Sequence, residues 1–297
     1  MAVTDGGRSR MRAPGRGVIG WCAPLLLALL LCAAPGVRAD GPADAGVART
    51  RVTFEGAFED LRARLPEAAA RPGHPLHALH ALLEFRRTHV GWLTLDGDRY
   101  LGAERSTLRS WMVVVPEGHP RERGMQSSLE MNAIDGRLFI VHIAEAEYHP
   151  AWAMLFAIHE LTHLHDRDLG IDSLHPNRRE LLDAEIRAYR NELQVAELLS
   201  DGGFVRALDA LLDAWEPTSL RDVDLHAMEI TRKDAARLSQ AIDHAEARSD
   251  TEDGLRLGFF YVALVLRHAE RTGLGDDAVR RVLGSRILMS ENTKAVK

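Results

Sequence analysis

One five-residue motif constrains this chain more than any other feature. His159, Glu160 and His163 form the pattern His-Glu-x-x-His inside a long apolar segment. Residues four apart on an α-helix lie on the same face, one turn above the other, so two histidines at this spacing can bind one divalent metal ion. Zinc is the ion that this pattern indicates, and the glutamate beside the first histidine can reach a water bound to it.

The residues around the motif predict a buried helix between Pro150 and Gly170. Proline suits the first helical turn, where its missing N–H has no intrahelical partner, and glycine suits the position after the end. Apolar side chains cover nearly every face of this helix: Met154, Leu155, Phe156, Ile158, Leu161 and Leu164. A helix that is apolar all round is a buried helix, and polar groups buried on it require partners. A metal ion would be such a partner for the histidines.

A second predicted helix, over residues 176–193, supplies the third ligand. A catalytic zinc site needs three protein ligands and one open position for water. Four carboxylates on this helix are candidates: Glu180, Asp183, Glu185 and Glu192. If the two helices are antiparallel neighbours, Glu185 lies on the apolar face and level with the histidines, whereas Glu192 overshoots by about 10 Å. We therefore predict one zinc ion bound by His159, His163 and Glu185.

These residues resemble the gluzincins, zinc peptidases that take two histidines from this motif and a glutamate from a following helix. The matching segments are HELTH at 159–163 and EIRAY at 185–189. The resemblance implies a zincin-like fold and hydrolysis of peptide bonds, with Glu160 as the general base that activates water. One residue departs from the pattern, because Tyr189 stands where thermolysin-like members carry an aspartate that orients a ligand histidine.

Two further roles in such a site stay open at the level of sequence. The outer-shell partner of the ligand histidines has three candidates, Asp166, Asp168 and Asp183. A hydrogen-bond donor to the tetrahedral oxyanion has five candidates: Tyr148, His149, Tyr189, His226 and His244. The pattern of residues does not rank the members of either group.

Other kinds of zinc site fit the chain less well. A metzincin would carry glycine and then histidine or aspartate at two positions that are occupied here by Asp166 and Leu169. A deformylase-like site would use a cysteine ligand, but Cys22 and Cys32 both lie in the N-terminal segment. Two non-enzymatic alternatives remain, a zinc-binding or regulatory protein of the same fold and a helical interaction module with a coincidental motif.

The first 39 residues predict a secretory signal peptide. Four arginines precede an apolar run over residues 18–34, and the sequence Val-Arg-Ala predicts cleavage after Ala39. The alternative is an uncleaved anchor, for which the apolar run is slightly short. These residues include five Arg and one Asp, so the net charge of the chain changes from −6 to −10 when they are removed. Such an acidic chain is not expected to bind nucleic acid. We expect a periplasmic or secreted protein that acts on a peptide or protein substrate.

The remaining pattern predicts an α+β fold that is mainly helical, with a small mixed sheet packed on the buried metal-binding helix. Asp135-Gly136 is a hairpin-turn signal that pairs residues 127–132 with 137–143 as an antiparallel edge hairpin, and residues 110–115 predict another strand. We divide the chain into a signal peptide (1–39), a flexible lead-in (40–53), an α+β lobe (54–148), the metal-binding helical hairpin (149–202), a helical C-terminal part (203–289) and a disordered tail (290–297).

Overall fold

The computed structural model describes residues 42–97, 99–102, 107–116, 119, 126–132, 136–144, 149–171, 177–243 and 250–284. Its helices within these ranges are α1 (Pro42–Arg64), α2 (His77–His89), α3 (Pro150–Asp168), α4 (Arg178–Leu199), α5 (Gly203–Trp215), α6 (Leu220–Met228), α7 (Arg232–Ile242) and α8 (Asp250–Arg271), and residues 276–284 are also helical. The predicted signal peptide, the hairpin turn at 133–135 and the C-terminal tail lie outside the described residues. The α+β class with mainly helical content is confirmed.

One mixed sheet forms from strands β1 (Val90–Asp96), β2 (Arg99–Leu101), β3 (Ser110–Val115), β4 (Gln126–Asn132) and β5 (Gly136–Ala144), in the order β2-β1-β3-β5-β4. The central strand β3 is parallel to both of its neighbours, whereas β2 and β4 pair antiparallel at the two sides. All six residues of β3 are buried, as expected of a continuous apolar run in a parallel pair. The pairing of β4 with β5 confirms the predicted hairpin strands.

The motif helix α3 lies against the sheet, as predicted from its apolar faces. It begins at Pro150 and ends at Asp168, and Gly170 follows with a positive φ of 68°. Its apolar side chains form one continuous core with the sheet and the other helices, including Met112 of β3 and Val141 of β5. Burial of these side chains against the sheet holds α3 at the centre of the molecule.

The helix that carries the predicted third ligand, α4, begins with a complete capping box. The side chain of Asn177 accepts hydrogen bonds from the first turn, and Glu180 accepts one from the backbone N–H of Asn177 in return. Contacts across the two helices join Asp166 to Arg187, Thr162 to Asn191 and His159 to Glu192. Residue numbers fall along α3 as they rise along α4, so the two helices are antiparallel, as predicted.

The flexible lead-in predicted for residues 40–53 is wrong over its described part, because α1 begins at Pro42. Glycine, alanine and proline suggested an unstructured segment, but these residues continue into a face formed by Phe54, Phe58 and Leu61. Those three side chains are buried in the main core at helical spacing. Tertiary burial of one face stabilises the helix as a whole and outweighs a weak local propensity.

The C-terminal half is helical, as predicted, and packs on α3. Phe259 and Phe260 of α8 meet the ring of Trp152 near the start of α3 edge-on, with centroid distances of 6.0 and 5.5 Å. Such edge-to-face pairs are a favoured arrangement of buried aromatic rings, so they fix the start of α3 against α8. No helix among the described residues combines the length and the apolar character needed to traverse a bilayer.

Candidate metal centre

The antiparallel pair of α3 and α4 brings the three predicted ligands together. Glu185 Oε2 lies 3.3 Å from His159 Nε2, and Glu185 Oε1 lies 3.5 Å from His163 Nε2. One possible ligand atom from each residue lies within 4.8 Å of the other two, and these residues form the one such group of His, Cys, Asp and Glu found in the described ranges. Glu185 thus lies level with the histidines, as the axial argument from sequence required.

These three side chains form a group that can hold a metal ion. Zinc bonds of about 2.0–2.2 Å place two tetrahedral ligands about 3.3–3.6 Å apart. The separations from Glu185 to His159 and to His163, 3.3 and 3.5 Å, are of this size, and they are measured from its two different carboxylate oxygens. By contrast, Arg187 Nη2 and Asp166 Oδ2 on the same two helices approach to 2.7 Å, the length of a charge-assisted hydrogen bond. Two imidazole nitrogens and one carboxylate also form a donor set that zinc prefers.

The centre lies just below the surface. The side chain of His163 is 9 % exposed, that of His159 13 % and that of Glu185 16 %. Glu160, the residue after the first ligand, is also partly exposed. Solvent therefore reaches one side of the cluster, while the apolar residues of α3 close the other. This degree of burial strengthens the electrostatic interactions within the cluster.

Glu192 provides an additional contact at His159 that the sequence argument did not assign. Its Oε2 lies 3.1 Å from His159 Nδ1, and its side chain is 1 % exposed. The sequence argument weighed Glu192 only as a metal ligand and set it aside because it lies two turns beyond Glu185. That offset lets it reach the far nitrogen of His159. The seven-residue spacing between the two glutamates, which returns to nearly the same helix face, was the signal available in the sequence.

The three predicted outer-shell aspartates lie elsewhere, and the structure gives the contact to Glu192 instead. Asp166 Oδ2 accepts a hydrogen bond of 2.8 Å from Arg187, and Asp183 Oδ1 accepts one of 2.6 Å from Arg280. Asp168 is exposed at the end of α3. A guanidinium is a stronger, charged donor to a carboxylate than a neutral imidazole, so Asp166 and Asp183 pair with the available arginines.

Tyr189 is the candidate oxyanion donor that the structure places beside the cluster. Its ring meets that of His159 nearly edge-on, with centroids 4.8 Å apart and an interplanar angle of 76°. It follows Glu185 by one helical turn, so both side chains lie on the same face of α4. Tyr189 therefore packs its aromatic ring on His159, one of the three predicted ligands.

The other candidate donors are not brought to the ligands by any described contact. His149 lies at the start of α3, where its Nδ1 is 2.7 Å from Asp243 Oδ2. His226 is exposed on α6, where its ring stacks on that of Trp215 with centroids 5.5 Å apart. Tyr148 and His244 lie outside the described residues. Within the described part of the chain, these observations leave Tyr189 as the candidate next to a ligand.

Burial and the nearby carboxylates shift the pKa values of His159 and His163 in opposite directions. At His159 burial favours the neutral ring, but Glu192 and Glu185 outweigh it and raise the pKa well above its usual value. At His163 burial dominates and lowers the pKa, despite the opposing effect of Glu185. Burial also raises the pKa of Glu192. Burial thus favours the neutral form of His163, whereas the carboxylates favour the protonated form of His159.

No protein-family model, curated protein or solved structure matches this chain. The resemblance to gluzincins therefore rests on the segments HELTH and EIRAY and on the arrangement of their side chains. A function for this chain is therefore inferred from the grouping of His159, His163 and Glu185.

Proposed function

We propose that the chain is an exported zinc metallopeptidase that hydrolyses peptide bonds. The observation that carries this proposal is the grouping of His159, His163 and Glu185, whose possible ligand atoms lie within 4.8 Å of one another, with Glu160 next to His159 in the sequence. Two imidazoles and one carboxylate are the protein ligands of a catalytic zinc site that keeps its fourth position open. Under this proposal the chain belongs with the zincin-like folds and holds one zinc ion.

Each residue of the centre has a separate part in the proposed reaction. Zinc, when bound, supplies a water with a pKa of about 7 and polarises the scissile carbonyl. Glu160 lies close enough to the cluster for its charge to act on His163 and Glu192. In this position its carboxylate accepts the proton of the attacking water and returns it to the leaving amine.

The sheet suggests where an extended peptide would lie. Strand β4 pairs with β5 on one side, and no described strand pairs with its other side. Its residues also contact α3, the helix that carries Glu160. An extended peptide can add to such an edge through main-chain hydrogen bonds, which are independent of its side chains. Substrate pairing along β4 would thus place a peptide beside the metal-binding helix.

Zinc content and one substitution separate the proposal from its alternatives. We expect one zinc per chain and cleavage of quenched fluorescent peptides from a mixed-sequence library. Glu160→Gln should keep the zinc and lose the cleavage, because it removes only the general base. Stoichiometric zinc without cleavage by the wild type would favour the non-catalytic zinc-binding protein. A wild-type chain without stoichiometric zinc would favour the helical interaction module.

The predicted signal peptide supplies the exported location in this proposal. Secretion by a bacterial host followed by N-terminal sequencing would test it directly. A mature chain that begins at Asp40 would support cleavage after Ala39, whereas an intact N-terminus recovered with membranes would favour the uncleaved anchor.

A further inference from the structure

Glu192 is among the most deeply buried charged residues of the described part of the chain. Its side chain is 1 % exposed in the middle of α4, between buried apolar residues such as Ala188 and Val195. A carboxylate at this depth is costly unless a hydrogen-bond partner compensates for the lost water. The contact to His159 Nδ1 at 3.1 Å provides that partner.

The imidazole of His159 is consequently held at both of its nitrogens. Nδ1 faces Glu192, and Nε2 faces Glu185 at 3.3 Å. When Nδ1 carries the proton of the neutral ring, its N–H donates a hydrogen bond to Glu192. The lone pair then lies on Nε2, the nitrogen that faces Glu185. With a metal ion at Nε2, this contact would hold the ring in the tautomer that carries its proton on Nδ1.

One face of α4 supplies three residues that contact this ring, and His163 of α3 also lies against it. Glu185, Tyr189 and Glu192 follow one another at intervals of four and three residues, which is helical spacing. Tyr189 meets the His159 ring edge-on between the two carboxylate contacts. The His159 ring is thus held by an aromatic contact in addition to the carboxylate contacts at its two nitrogens.

Glu192 is in a position to orient His159 and lies outside the group of residues that can share a metal ion. The group of atoms that can share a metal ion consists of His159, His163 and Glu185. Glu192 approaches the opposite nitrogen of His159, and the carboxylate contact of His163 belongs to Glu185. Were Glu192 merely a structural ion pair, its loss would reduce stability and leave metal affinity unchanged, which makes the two roles separable by experiment.

We propose that Glu192 is a positioning residue that holds His159 Nδ1 and so aims Nε2 at the metal, an inference that rests on the proposed zinc site. Loss of such an outer-shell partner typically weakens metal binding by about 10–100-fold. Replacing Glu192 with leucine should produce a loss of this size, because no acceptor remains for Nδ1–H. Glu192→Gln should produce a smaller loss, because the amide oxygen still accepts the hydrogen bond.

The test measures zinc dissociation constants by competition with a chromophoric chelator for the wild type, Glu192→Gln and Glu192→Leu. Asp183→Asn is the matched control, because it removes a carboxylate from α4 that pairs with Arg280 and not with a ligand. Two-bond ¹⁵N–¹H spectra of the zinc-loaded chains should show the His159 proton on Nδ1 in the wild type and in Glu192→Gln. That single pattern should be lost in Glu192→Leu.

The outcomes distinguish this inference from the proposed function. Equal zinc affinity in the wild type and both Glu192 variants would overturn the role of Glu192, while zinc binding and cleavage by the wild type would leave the peptidase proposal standing. A wild-type chain that binds no zinc would overturn both. A loss of affinity in Asp183→Asn equal to that in Glu192→Leu would also overturn the inference, because the effect would then be general to α4.

Discussion

Buried carboxylates occur in two regions of this protein, and their partners differ. In α8, Glu252 and Arg256 lie one turn apart with side-chain exposures of 0 and 2 %, and Arg256 Nε donates to Glu252 Oε1 at 3.0 Å. The guanidinium also lies over the ring of Trp152, 4.6 Å from its centroid. This carboxylate has a permanently charged partner on its own helix. Its burial is thus explained by structure alone.

At the candidate metal centre, by contrast, two carboxylates approach the same histidine. Glu185 and Glu192 both approach His159, whose charge depends on protonation, and Glu160 lies nearby. The imidazoles come from α3 and two of the carboxylates from α4, so the cluster forms only when the helices pack. The ion pair within one helix is therefore explained by packing, whereas the histidines and carboxylates gathered from two helices form the donor set of the proposed metal site.

The largest expected effect is the loss of turnover when Glu160 at the candidate metal centre is replaced. Glu160→Gln should lower kcat by about 10²- to 10⁴-fold, the usual contribution of a general acid–base group. Zinc content should stay at the wild-type value, because Glu160 is not a proposed ligand. Steady-state cleavage of a fluorogenic peptide, with metal analysis of the same sample, measures both. Unchanged turnover would remove Glu160 from the mechanism.

On the other side of the comparison, breaking the α8 pair should cost stability alone. Glu252→Gln leaves Arg256 buried without its carboxylate and should lower the free energy of unfolding by about 3–5 kcal/mol. Denaturant unfolding measures the change. The double variant Glu252→Leu with Arg256→Met is the control, since removal of both charges should recover most of the loss. A zinc affinity altered in the folded single variant would contradict the assignment of this pair to packing.

Zinc should stabilise the folded chain, and Glu185 should be required for that response. At a free concentration about 100 times its dissociation constant, a ligand that binds only the folded state adds about 2.7 kcal/mol to the free energy of unfolding. Glu185→Ala should lose most of this increment, while Asp183→Asn should keep it. Thermal unfolding with and without zinc compares the three chains. Equal zinc responses in all three would eliminate Glu185 as a ligand.

The sequence predicted the elements whose signals are local and periodic. The apolar faces of α3, the spacing of its histidines and the level of Glu185 on α4 followed from helical geometry alone. The helix at residues 42–53 was not predicted, because it depends on the burial of Phe58 and its neighbours by residues distant in sequence. The partner of His159 was also missed, because the choice between Glu192 and nearby aspartates depends on which arginines compete for them.

A partly exposed ion pair, between Asp209 and Arg267, should give the smallest effect. The hydrogen bond from Arg267 lowers the pKa of Asp209, and burial opposes this only in part. A lowered pKa in the folded state stabilises the protein above the ordinary aspartate pKa, and the contribution disappears as the pH falls through the folded-state value. Asp209→Asn should therefore reduce the free energy of unfolding by about 0–1 kcal/mol at pH 7, because solvent screens the pair. Urea unfolding at several pH values should show that the difference shrinks on acidification. If the difference in unfolding free energy between wild type and Asp209→Asn grew as the pH fell, the Asp209 carboxylate would destabilise the fold. This partly exposed pair would then lack the favourable coupling ascribed to the buried pair in α8.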